Sequence, residues 1–416
     1  MTQPKHTLVI GGGVIGAFSA YYLQQAGRQV TIVDKGKFGA GCSHANCGYV
    51  SPSHVLPLPK PGQLGIGLKA LFSNKGALRI RPGLSLSLWA WLLKFGSRCN
   101  RRDMLQAGSA RTAILQSSRQ LYQEIIEGEQ LSVEWKTDGL LFVFRDKQHF
   151  EQFAETDRLL RTDFNVPAEA IDGAALAKME PALKTGLAGA WHYLNDAHLR
   201  PDRLMSELQR RLQETGVTIL EDQTVTKFVR RSDGVSAVVT ASGEIAADEF
   251  VVATGPLTPM LNTQLDCRIP IQPGKGYSIT MPRPKICPRY PMLLQEVHVG
   301  ITPWDSGYRI GSTMELSGYN SEMNPQRLQY LRDGATEYLV DPLAEPVAEQ
   351  WFGWRPMTWD GLPYIGRTPR FKNVWVAAGH NMLGLSMGTA TGKLISELIT
   401  DQKPHIDPHP YRIGRS

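Results

Sequence analysis

Two cysteines and two histidines lie close together in the segment GCSHANCGYVSPSH, residues 41–54. Thiols and imidazoles bind zinc or form redox pairs, so Cys42, His44, Cys47 and His54 raise the question of a metal site or a disulfide. Their spacings are C-x-H, H-x-x-C and C-x6-H, and none of these is a zinc-finger or zinc-ribbon pattern. The segment therefore predicts no metal and no redox disulfide, and the rest of the chain must show whether it contacts another ligand.

A glycine-rich turn near the N-terminus indicates which ligand that is. In HTLVIGGGVIGAFSAYYLQQAGRQVTIVDK, an apolar strand precedes Gly11, Gly13 and Gly16 in the pattern G-x-G-x-x-G. A helix and a second strand follow, and that strand ends at Asp34. Gly11 permits a tight turn, Gly13 lets the backbone approach a pyrophosphate, and Gly16 allows the helix to pack closely on the strand. Asp34 would accept hydrogen bonds from the adenosine ribose. The pattern predicts a dinucleotide site, and its position at the start of the chain favours FAD over NAD.

Composition narrows the class of protein further. The chain has 416 residues, which suggests two domains, and its formal net charge of +6 suits a small anionic ligand. No block of basic residues indicates nucleic acid. Five unevenly spaced cysteines and the absence of a signal-peptide pattern predict a cytoplasmic protein. The longest apolar stretch, residues 84–95, is too short to span a bilayer.

Two later segments complete the nucleotide-binding unit. Residues 202–256 predict a helix, strands at Thr218–Leu220 and 224–230, a hairpin turning at Asp233 and Gly234, and a strand at 249–253. In this segment Val225 would face the adenine, and Ala253 and Gly255 would let the backbone pass close to the cofactor. Towards the C-terminus, a buried strand at Val374–Ala378 runs into GHNMLG, and a helix is predicted to start near Leu385.

Four motifs resemble those of one known family. They are VIGGGVIG, SHANCGYVSP, PGKGYSIT with YRIGSTMELSG, and GWRPMTWDGLPYIG with GHNMLGLSMG. In order and spacing the chain is similar to the D-amino-acid oxidase superfamily of FAD-dependent oxidoreductases, most of all to the bacterial D-amino-acid dehydrogenase small-subunit group. Glycine and sarcosine oxidases are more distant members. The resemblance covers nearly the whole chain.

The resemblance implies that the segment after Asp34 runs beneath the flavin. Small residues there would lie against the flavin, and Ser43 and Asn46 would supply hydrogen bonds. FAD is expected to be bound non-covalently. His44 or His380 could instead attach the flavin or handle a proton, although a hydrogen-bonded pocket histidine is the simpler interpretation of each. The helix starting near Leu385 would direct its N-terminus at the flavin pyrimidine edge. The expected cofactor-binding residues are Gly11, Gly13, Val14, Ile15, Gly16, Asp34, Lys35, Cys42, Ser43, Asn46, Cys47, Gly48, Val225, Ala253, Gly255, Gly353, Gly379, Met382, Leu383 and Gly384.

The substrate side is expected to be a second domain with an antiparallel sheet. Residues 133–146 predict a hairpin, residues 269–281, 291–303 and 307–315 predict longer strands, and 103–127 predicts a helix beside them. The fold class is thus α/β with an α+β second domain. The FAD-binding domain is Rossmann-like and discontinuous, at 1–74, 195–265 and 350–405. The substrate domain takes 75–194 and 266–349.

Four side chains are expected to serve catalysis. The resemblance makes Arg355, in GWRPMT, the residue that binds the substrate carboxylate, which a planar guanidinium grips by two parallel hydrogen bonds. A purely structural arginine is the alternative. Tyr277 would form the pocket wall or donate to the carboxylate, with core packing as the alternative. His298, on the next strand, would line the same pocket, and His380 is the fourth candidate.

The implied reaction is FAD-dependent oxidative deamination of a D-amino acid or of a cyclic imino acid such as D-proline or hydroxyproline. A hydride passes from Cα to the flavin, and the electrons then go to a quinone or carrier. One alternative is a glycine- or sarcosine-type amine oxidase that uses oxygen. Another is a flavin-bearing subunit of an electron-transfer complex.

Residues 84–102, LSLSLWAWLLKFGSRCNRR, combine apolar, tryptophan and cationic residues. This composition is typical of a helix that lies on a membrane surface, which a quinone-reducing enzyme would need. On that interpretation the protein would contact the inner face of the membrane. A helix that covers the core of the second domain is the alternative.

Overall fold

The fold is described from a computed structural model for residues 4–65, 67, 76–80 and 85–415. It has nine α-helices in this part of the chain: α1 Val14–Gln25, α2 Leu86–Ser97, α3 Arg101–Gly128, α4 Lys147–Phe164, α5 Gly173–Met179, α6 Pro201–Glu214, α7 Asn262–Leu265, α8 Pro325–Tyr338 and α9 Gly388–Ile399. The described strands are β1 His6–Ile10, β2 Gln29–Val33, β3 Tyr49–Val50, β4 Leu78–Ile80, β5 Leu140–Phe144, β6 Glu169–Asp172, β7 Gly189–Tyr193, β8 Ala197–His198, β9 Thr218–Leu220, β10 Lys227–Arg230, β11 Val235–Thr240, β12 Gly243–Ala246, β13 Glu249–Val252, β14 Ile271–Met281, β15 Met292–Leu294, β16 Val299–Trp304, β17 Gly307–Leu316, β18 Glu349–Thr358, β19 Tyr364–Arg367 and β20 Val374–Ala378.

A six-stranded sheet with the order β19-β20-β13-β1-β2-β9 forms one half of the fold. All neighbours are parallel except the edge pair β19–β20. Parallel strands buried on both faces read as continuous apolar runs, as in β1 and β20. The strands come from three separate stretches of chain, which confirms the predicted discontinuous Rossmann-like fold.

Helices α1 and α9 pack together against this sheet. Their close approach depends on glycine, since a Cβ at Gly392 would lie 2.4 Å from the backbone carbon of Phe18. Gly16 has the packing role that the sequence predicts, because a Cβ there would lie 1.9 Å from the carbonyl oxygen of Gly11 at the end of β1. These contacts fix the position of the first turn of α1.

A nine-stranded sheet forms the second half of the fold. Its path is β18-β14-β17-β16-β15-β5-β7-β6, with β4 beside β17. It is antiparallel apart from the pairs β15–β5 and β17–β4, so the α/β class with a largely antiparallel second sheet is confirmed.

Two strand predictions for this sheet are wrong. Residues 291–303 do not form one strand, because a tight turn at 295–298 folds β15 back onto β16. Residues 133–146 do not form a hairpin. Only Leu140–Phe144 is a strand there, and all five of its residues are buried between β7 and β15, which are distant in sequence. Partners supplied from far along the chain decided the second case, whereas a local turn decided the first.

Helix α3 confirms the predicted helix at 103–127 but not its location. Its buried residues, among them Ile114, Leu115 and Tyr122, join the same core as Phe18 of α1 and Leu394 of α9. The hydroxyl of Tyr122 donates to the carbonyl of Leu385 at 2.8 Å. The helix therefore packs with the six-stranded sheet rather than with the substrate-side sheet, because its apolar stripe matches the α1–α9 pair.

Helix α2 occupies most of the segment 84–102, and Leu84 lies outside the described residues. Trp91 is buried in a small core that also holds Trp359, and Leu88 is buried on the same helix. Leu86 and Leu93 point outward and are 85% and 76% exposed. The helix thus has an inner and an outer apolar face. Within the described ranges no helix has the length and apolarity needed to cross a membrane.

We expect Gly392→Ala to lower the free energy of unfolding by about 1–3 kcal/mol, because its methyl group would overlap the backbone of Phe18. Gly128→Ala is the matched control, since a Cβ at the end of α3 meets nothing within 4 Å. Urea unfolding of both variants measures the difference. Equal stability of the two variants would show that α1 and α9 can separate without cost.

Candidate active site

One cavity of about 2020 Å³ lies between the two sheets. The ends of parallel strands, at Ile10, Val33 and Ala253, border it on one side, and Tyr277 and Ser278 of β14 border it on the other. Its volume is well above the range of ordinary small-molecule pockets, about 300–1,000 Å³. The space is sufficient for a dinucleotide together with a small substrate.

The charge of the cavity is one-sided. Among its described lining residues Asp34 is the only acid, against the cations Lys35, Lys37, Lys60, Arg111 and Arg355. Such a lining favours anionic ligands. The carboxylate of Asp34 accepts the N–H of Gly12 at 2.6 Å and that of Gly36 at 2.8 Å. It therefore braces the glycine turn, and each oxygen keeps a lone pair that a ribose hydroxyl could use.

The glycine turn leaves space for a ligand at one position. Gly11 is fixed by its surroundings, because its φ is +111° and a Cβ would lie 2.5 Å from the carbonyl oxygen of Ala253. Gly13 is different. Its φ of −77° suits any residue, and the hydroxyl of Ser43, at 3.3 Å, is the only described neighbour that a Cβ would meet within 4 Å. The protein itself does not require glycine there, so the cavity side of α1 fits a pyrophosphate.

The segment 41–48 forms the floor of the cavity and is held by its own hydrogen bonds. Ser43 accepts the N–H of Val14 at 2.9 Å, and the Asn46 amide contacts the carbonyls of Cys42 and Ser43. These two polar side chains therefore shape the loop, in addition to the cofactor contacts expected from the sequence. A Cβ at Gly48 would lie 2.0 Å from the carbonyl oxygen of Leu199, so glycine is needed here for close packing against the segment that follows β8.

Both cysteines of this loop are free thiols. Burial raises the pKa of Cys42 to about 11 and also raises the pKa of Cys47. Within the described ranges, no group of three or more His, Cys, Asp or Glu side chains is arranged to hold a metal ion. His44 does not line the cavity and contacts Glu349 at 2.8 Å, so it faces away from the cofactor space.

Arg355, on β18, reaches into the cavity beside Cys42 and Cys47. Its Nη1 donates to the carbonyl of Thr313 at 2.6 Å. No carboxylate in the described part of the chain pairs with it, and burial lowers the pKa of its guanidinium. Gly276 on β14 makes its position possible, since a Cβ there would lie 2.1 Å from Nη1. Arg355 is thus a half-buried cation with no counter-ion among the described residues, and such a group is suited to bind a ligand carboxylate.

The other three predicted catalytic residues also line the cavity. The Tyr277 hydroxyl donates to the carboxylate of Glu315 at 3.1 Å, and the side chain is almost fully buried, which favours the wall role. His380 is paired with the hydroxyl of Thr391 at 3.0 Å, and burial lowers its pKa to about 3, so its ring is neutral at physiological pH. These contacts favour a hydrogen-bonded pocket histidine.

His298 lies in the turn between β15 and β16, not on a strand as predicted. Its backbone has a φ of +50°, and its side chain is open to the cavity space. The residue is exposed, yet partial desolvation by the cavity walls lowers the pKa of its ring, and the nearby Lys60 adds to this effect.

The turn before α9 corrects another prediction. The helix begins at Gly388 rather than near Leu385. Residues 380–386 form a turn along the cavity, whereas Gly388 is not in its lining, so turn residues separate the helix N-terminus from the cavity. The helix starts late because the chain must first pass Tyr122, which holds the carbonyl of Leu385.

The remaining predicted residues can be compared with the lining as a set. All predicted cofactor and catalytic residues line this cavity except Gly16 and Gly379. Gly379 supplies a φ of +83° at the end of β20 and packs against Thr358. Sequence reasoning missed Lys60, Gly276, and the aromatic wall of Tyr319, Trp351, Phe352 and Trp354. The run of aromatic residues in WFGW was the available signal for that wall.

The fold and the cavity together define a dinucleotide-binding enzyme. The model of the FAD dependent oxidoreductase family DAO matches residues 6–398. The chain belongs to this family of FAD-dependent oxidoreductases, and FAD is its cofactor.

Individual relatives agree over the full length. A protein of Agrobacterium fabrum named D-amino acid dehydrogenase is 31% identical over 413 residues, 98% of each chain. Among solved structures, glycine oxidase from Geobacillus kaustophilus has a TM-score of 0.78 at 22% identity and covers 100% of both chains. L-proline dehydrogenase from P. horikoshii has a TM-score of 0.73 at 20% identity and covers 99% of this chain and 97% of its own. The two solved structures support the fold alone.

Gly13→Val should abolish retention of FAD, because two added methyl groups would fill the space that the pyrophosphate needs. The fold should survive, since the open side of Gly13 faces the cavity. The ratio of flavin absorbance to protein absorbance after gel filtration gives the result. Circular dichroism of the colourless variant tests the fold. Full flavin occupancy in the variant would mean that the pyrophosphate lies elsewhere.

Proposed function

We propose that this protein catalyses FAD-dependent oxidation of a D-amino acid, or of a D-configured cyclic imino acid such as D-proline or hydroxyproline. The observation that carries the proposal is Arg355, whose half-buried guanidinium lines the cavity without a carboxylate partner among the described residues. The similarity to D-amino acid dehydrogenases over 98% of the chain supports it.

The protein's part in this reaction is to orient and enclose the substrate. Arg355 would hold the carboxylate through its remaining N–H groups while Thr313 fixes the guanidinium plane. Tyr277 and the aromatic wall would exclude water. Bound FAD supplies the acceptor for the hydride that leaves Cα, and the imine product then hydrolyses to a keto acid or stays cyclic. No side chain is needed as a general base if the amine binds unprotonated, which agrees with the neutral, hydroxyl-paired His380.

The electron acceptor is proposed to be a quinone or carrier, with FAD bound non-covalently. A glycine-type oxidase that uses oxygen is the second candidate, favoured by the structural likeness to glycine oxidase. Turnover of the purified protein with a dye in the absence of oxygen, compared with turnover in air without dye, separates the two. Flavin released by acid precipitation would agree with non-covalent binding. Flavin that stays with the pellet would contradict it.

Replacing Arg355 should damage catalysis without loss of FAD. Loss of a bidentate, charge-assisted contact in a dry pocket costs roughly 2–5 kcal/mol, so kcat/KM of Arg355→Met should fall by about two to three powers of ten. Arg355→Lys keeps the positive charge but loses the two parallel N–H donors of the guanidinium, so it should recover only part of this loss. Gly276→Ala should lower kcat/KM as well, because its methyl group would displace the guanidinium.

Two controls accompany these variants. Gly307→Ala lies in the same sheet, where a Cβ has no described neighbour closer than 3.4 Å, and it should keep full activity. Amines without a carboxylate should be poor substrates of the unaltered enzyme, and their kcat/KM should not change when Arg355 is replaced. Equal kcat/KM of Arg355→Met and the unaltered enzyme on an amino acid, both with full FAD, would move the carboxylate site towards Tyr277 and His298.

We also propose that the outer face of α2 contacts a membrane surface. Leu86, Trp89 and Leu93 follow helical spacing on this face, and the exposed Arg101 and Arg102 begin the next helix. Exposed apolar residues beside cations suit an anionic bilayer, and a quinone acceptor would be found there.

At low salt the protein should co-sediment with vesicles that contain anionic lipid. Leu93→Glu should weaken the binding severalfold, because it places a negative charge on the contact face. Val340→Glu, at a residue that is 49% exposed outside α2, is the matched control and should bind normally. Failure of the unaltered protein to sediment with the vesicles would contradict the membrane contact.

A further inference from the structure

The cavity extends beyond Arg355 into a region that the proposed reaction does not use. This region, called here the Lys60 arm, is lined by Leu58, Lys60, Gln63, Ala77, Leu78 and His298. Thr313 joins it to the carboxylate site, since its carbonyl accepts the hydrogen bond of Arg355. The next residue, Met314, donates its N–H to the carbonyl of Ala77 at 2.7 Å. A substrate held by Arg355 therefore has the Lys60 arm beside it.

Lys60 is a cation without a counter-charge in this arm. Burial lowers the pKa of its amine, and no carboxylate of the described residues pairs with it. The amine is a hydrogen-bond donor in either protonation state. Lys60 is half-buried, and a partly desolvated donor of this kind carries a cost that a ligand oxygen would relieve.

His298 supplies a second polar group at the same place. It lies close enough to Lys60 for the amine to lower the pKa of its ring. A neutral imidazole has one N–H donor and one acceptor, so it can complete the hydrogen bonding of an oxygen atom that Lys60 also binds. The neighbouring walls are apolar, formed by Leu58, Leu78 and Met314. The arm thus has few polar groups on an apolar lining, as specific small-molecule sites do.

The backbone around this arm is held in uncommon conformations. His298 has a φ of +50°, and on the adjacent strand Ser312 and Thr313 have φ values of +113° and +55°. Non-glycine residues with positive φ cost free energy and cluster at ligand sites. Thr313 contacts the guanidinium of Arg355 directly, and Ser312 precedes it and pairs with Val299, the residue after His298. This grouping of distorted residues along the cavity favours a functional reason for the distortion.

We propose that Lys60 and His298 bind an oxygen atom on the substrate side chain, either a hydroxyl or a second carboxylate, while Arg355 holds the α-carboxylate. The proposal rests on the proposed function. It makes the enzyme selective for hydroxylated imino acids or acidic amino acids over their plain counterparts. A site built to hydrogen-bond a substrate group discriminates strongly against an analogue that lacks the group.

Matched substrate pairs test the proposal on the FAD-loaded enzyme with a dye acceptor. The pairs are 4-hydroxy-D-proline against D-proline, and D-glutamate against D-norvaline. We expect kcat/KM to be about tenfold or more higher for the oxygen-bearing member of at least one pair. Preference in the proline pair identifies a hydroxyl, and preference in the glutamate pair identifies a carboxylate.

Variants of residues in the Lys60 arm then test whether this region causes the preference. Lys60→Met keeps the alkyl part of the side chain, so the variant should fold and retain FAD. It should raise KM for the oxygen-bearing substrate alone, so that the ratio of the two kcat/KM values in a pair falls to about one. His298→Asn, which tolerates a positive φ but is shorter, should act in the same direction. Lys147→Met, the control, removes the same charge from the exposed start of α4. It should leave kcat/KM unchanged for both substrates of each pair.

Several outcomes would overturn the proposal. The first is an unaltered enzyme that shows no preference in either pair. The second is a Lys60→Met variant whose kcat/KM falls equally for both members of a pair. The third is a Lys60→Met variant that does not retain FAD. Absence of activity on every D-amino acid would instead overturn the proposed function, so the two failures are distinguishable.

Discussion

The enclosure of the Arg355 guanidinium in the cavity, with no carboxylate partner among the described residues, is the constraint on which the site depends. An isolated buried cation is costly, and here the described protein offers it one backbone carbonyl, that of Thr313. The fold accepts this cost because three strands of one sheet, β14, β17 and β18, hold the guanidinium from different sides. Gly276 on the central strand of this group leaves the space, and the altered backbone at Thr313 presents the carbonyl. A ligand carboxylate supplies the missing charge.

At the nucleotide end of the cavity, the site depends instead on the close approach of backbone segments. The turn between β1 and α1 is compressed by contacts that only glycine allows, at Gly11 against Ala253 and at Gly16 against Gly11 itself. These contacts direct the first turn of α1 at the cavity and leave Gly13 open to it. The two sides thus hold anions by different means, backbone amides at the nucleotide end and a guanidinium at the substrate end.

The histidines and cysteines that first suggest metal or redox chemistry have ordinary environments. Cys42 and Cys47 are buried thiols with raised pKa values, and His380 is a buried neutral ring paired with a hydroxyl. Polar residues on a cavity floor can serve to shape a loop, as the Asn46 amide does for the segment 41–48. A cluster of reactive side-chain types in a sequence indicates a site, but their hydrogen-bond partners decide the chemistry.

The sequence alone determined the features that depend on local spacing: the strand-turn-helix around Gly11, Gly13 and Gly16, the helix at 103–127, and the motif that contains Arg355. Local conformation and glycine geometry suffice for these. Only the tertiary structure decided which partners distant segments find. It placed His298 in a turn, moved α3 onto the core of the six-stranded sheet, started α9 at Gly388, and brought Lys60 into the cavity. The turn at His298 is local, formed where β15 folds back onto β16. The other three outcomes depend on contacts between residues far apart in the chain, and such contacts leave no periodic or spacing signal in the sequence.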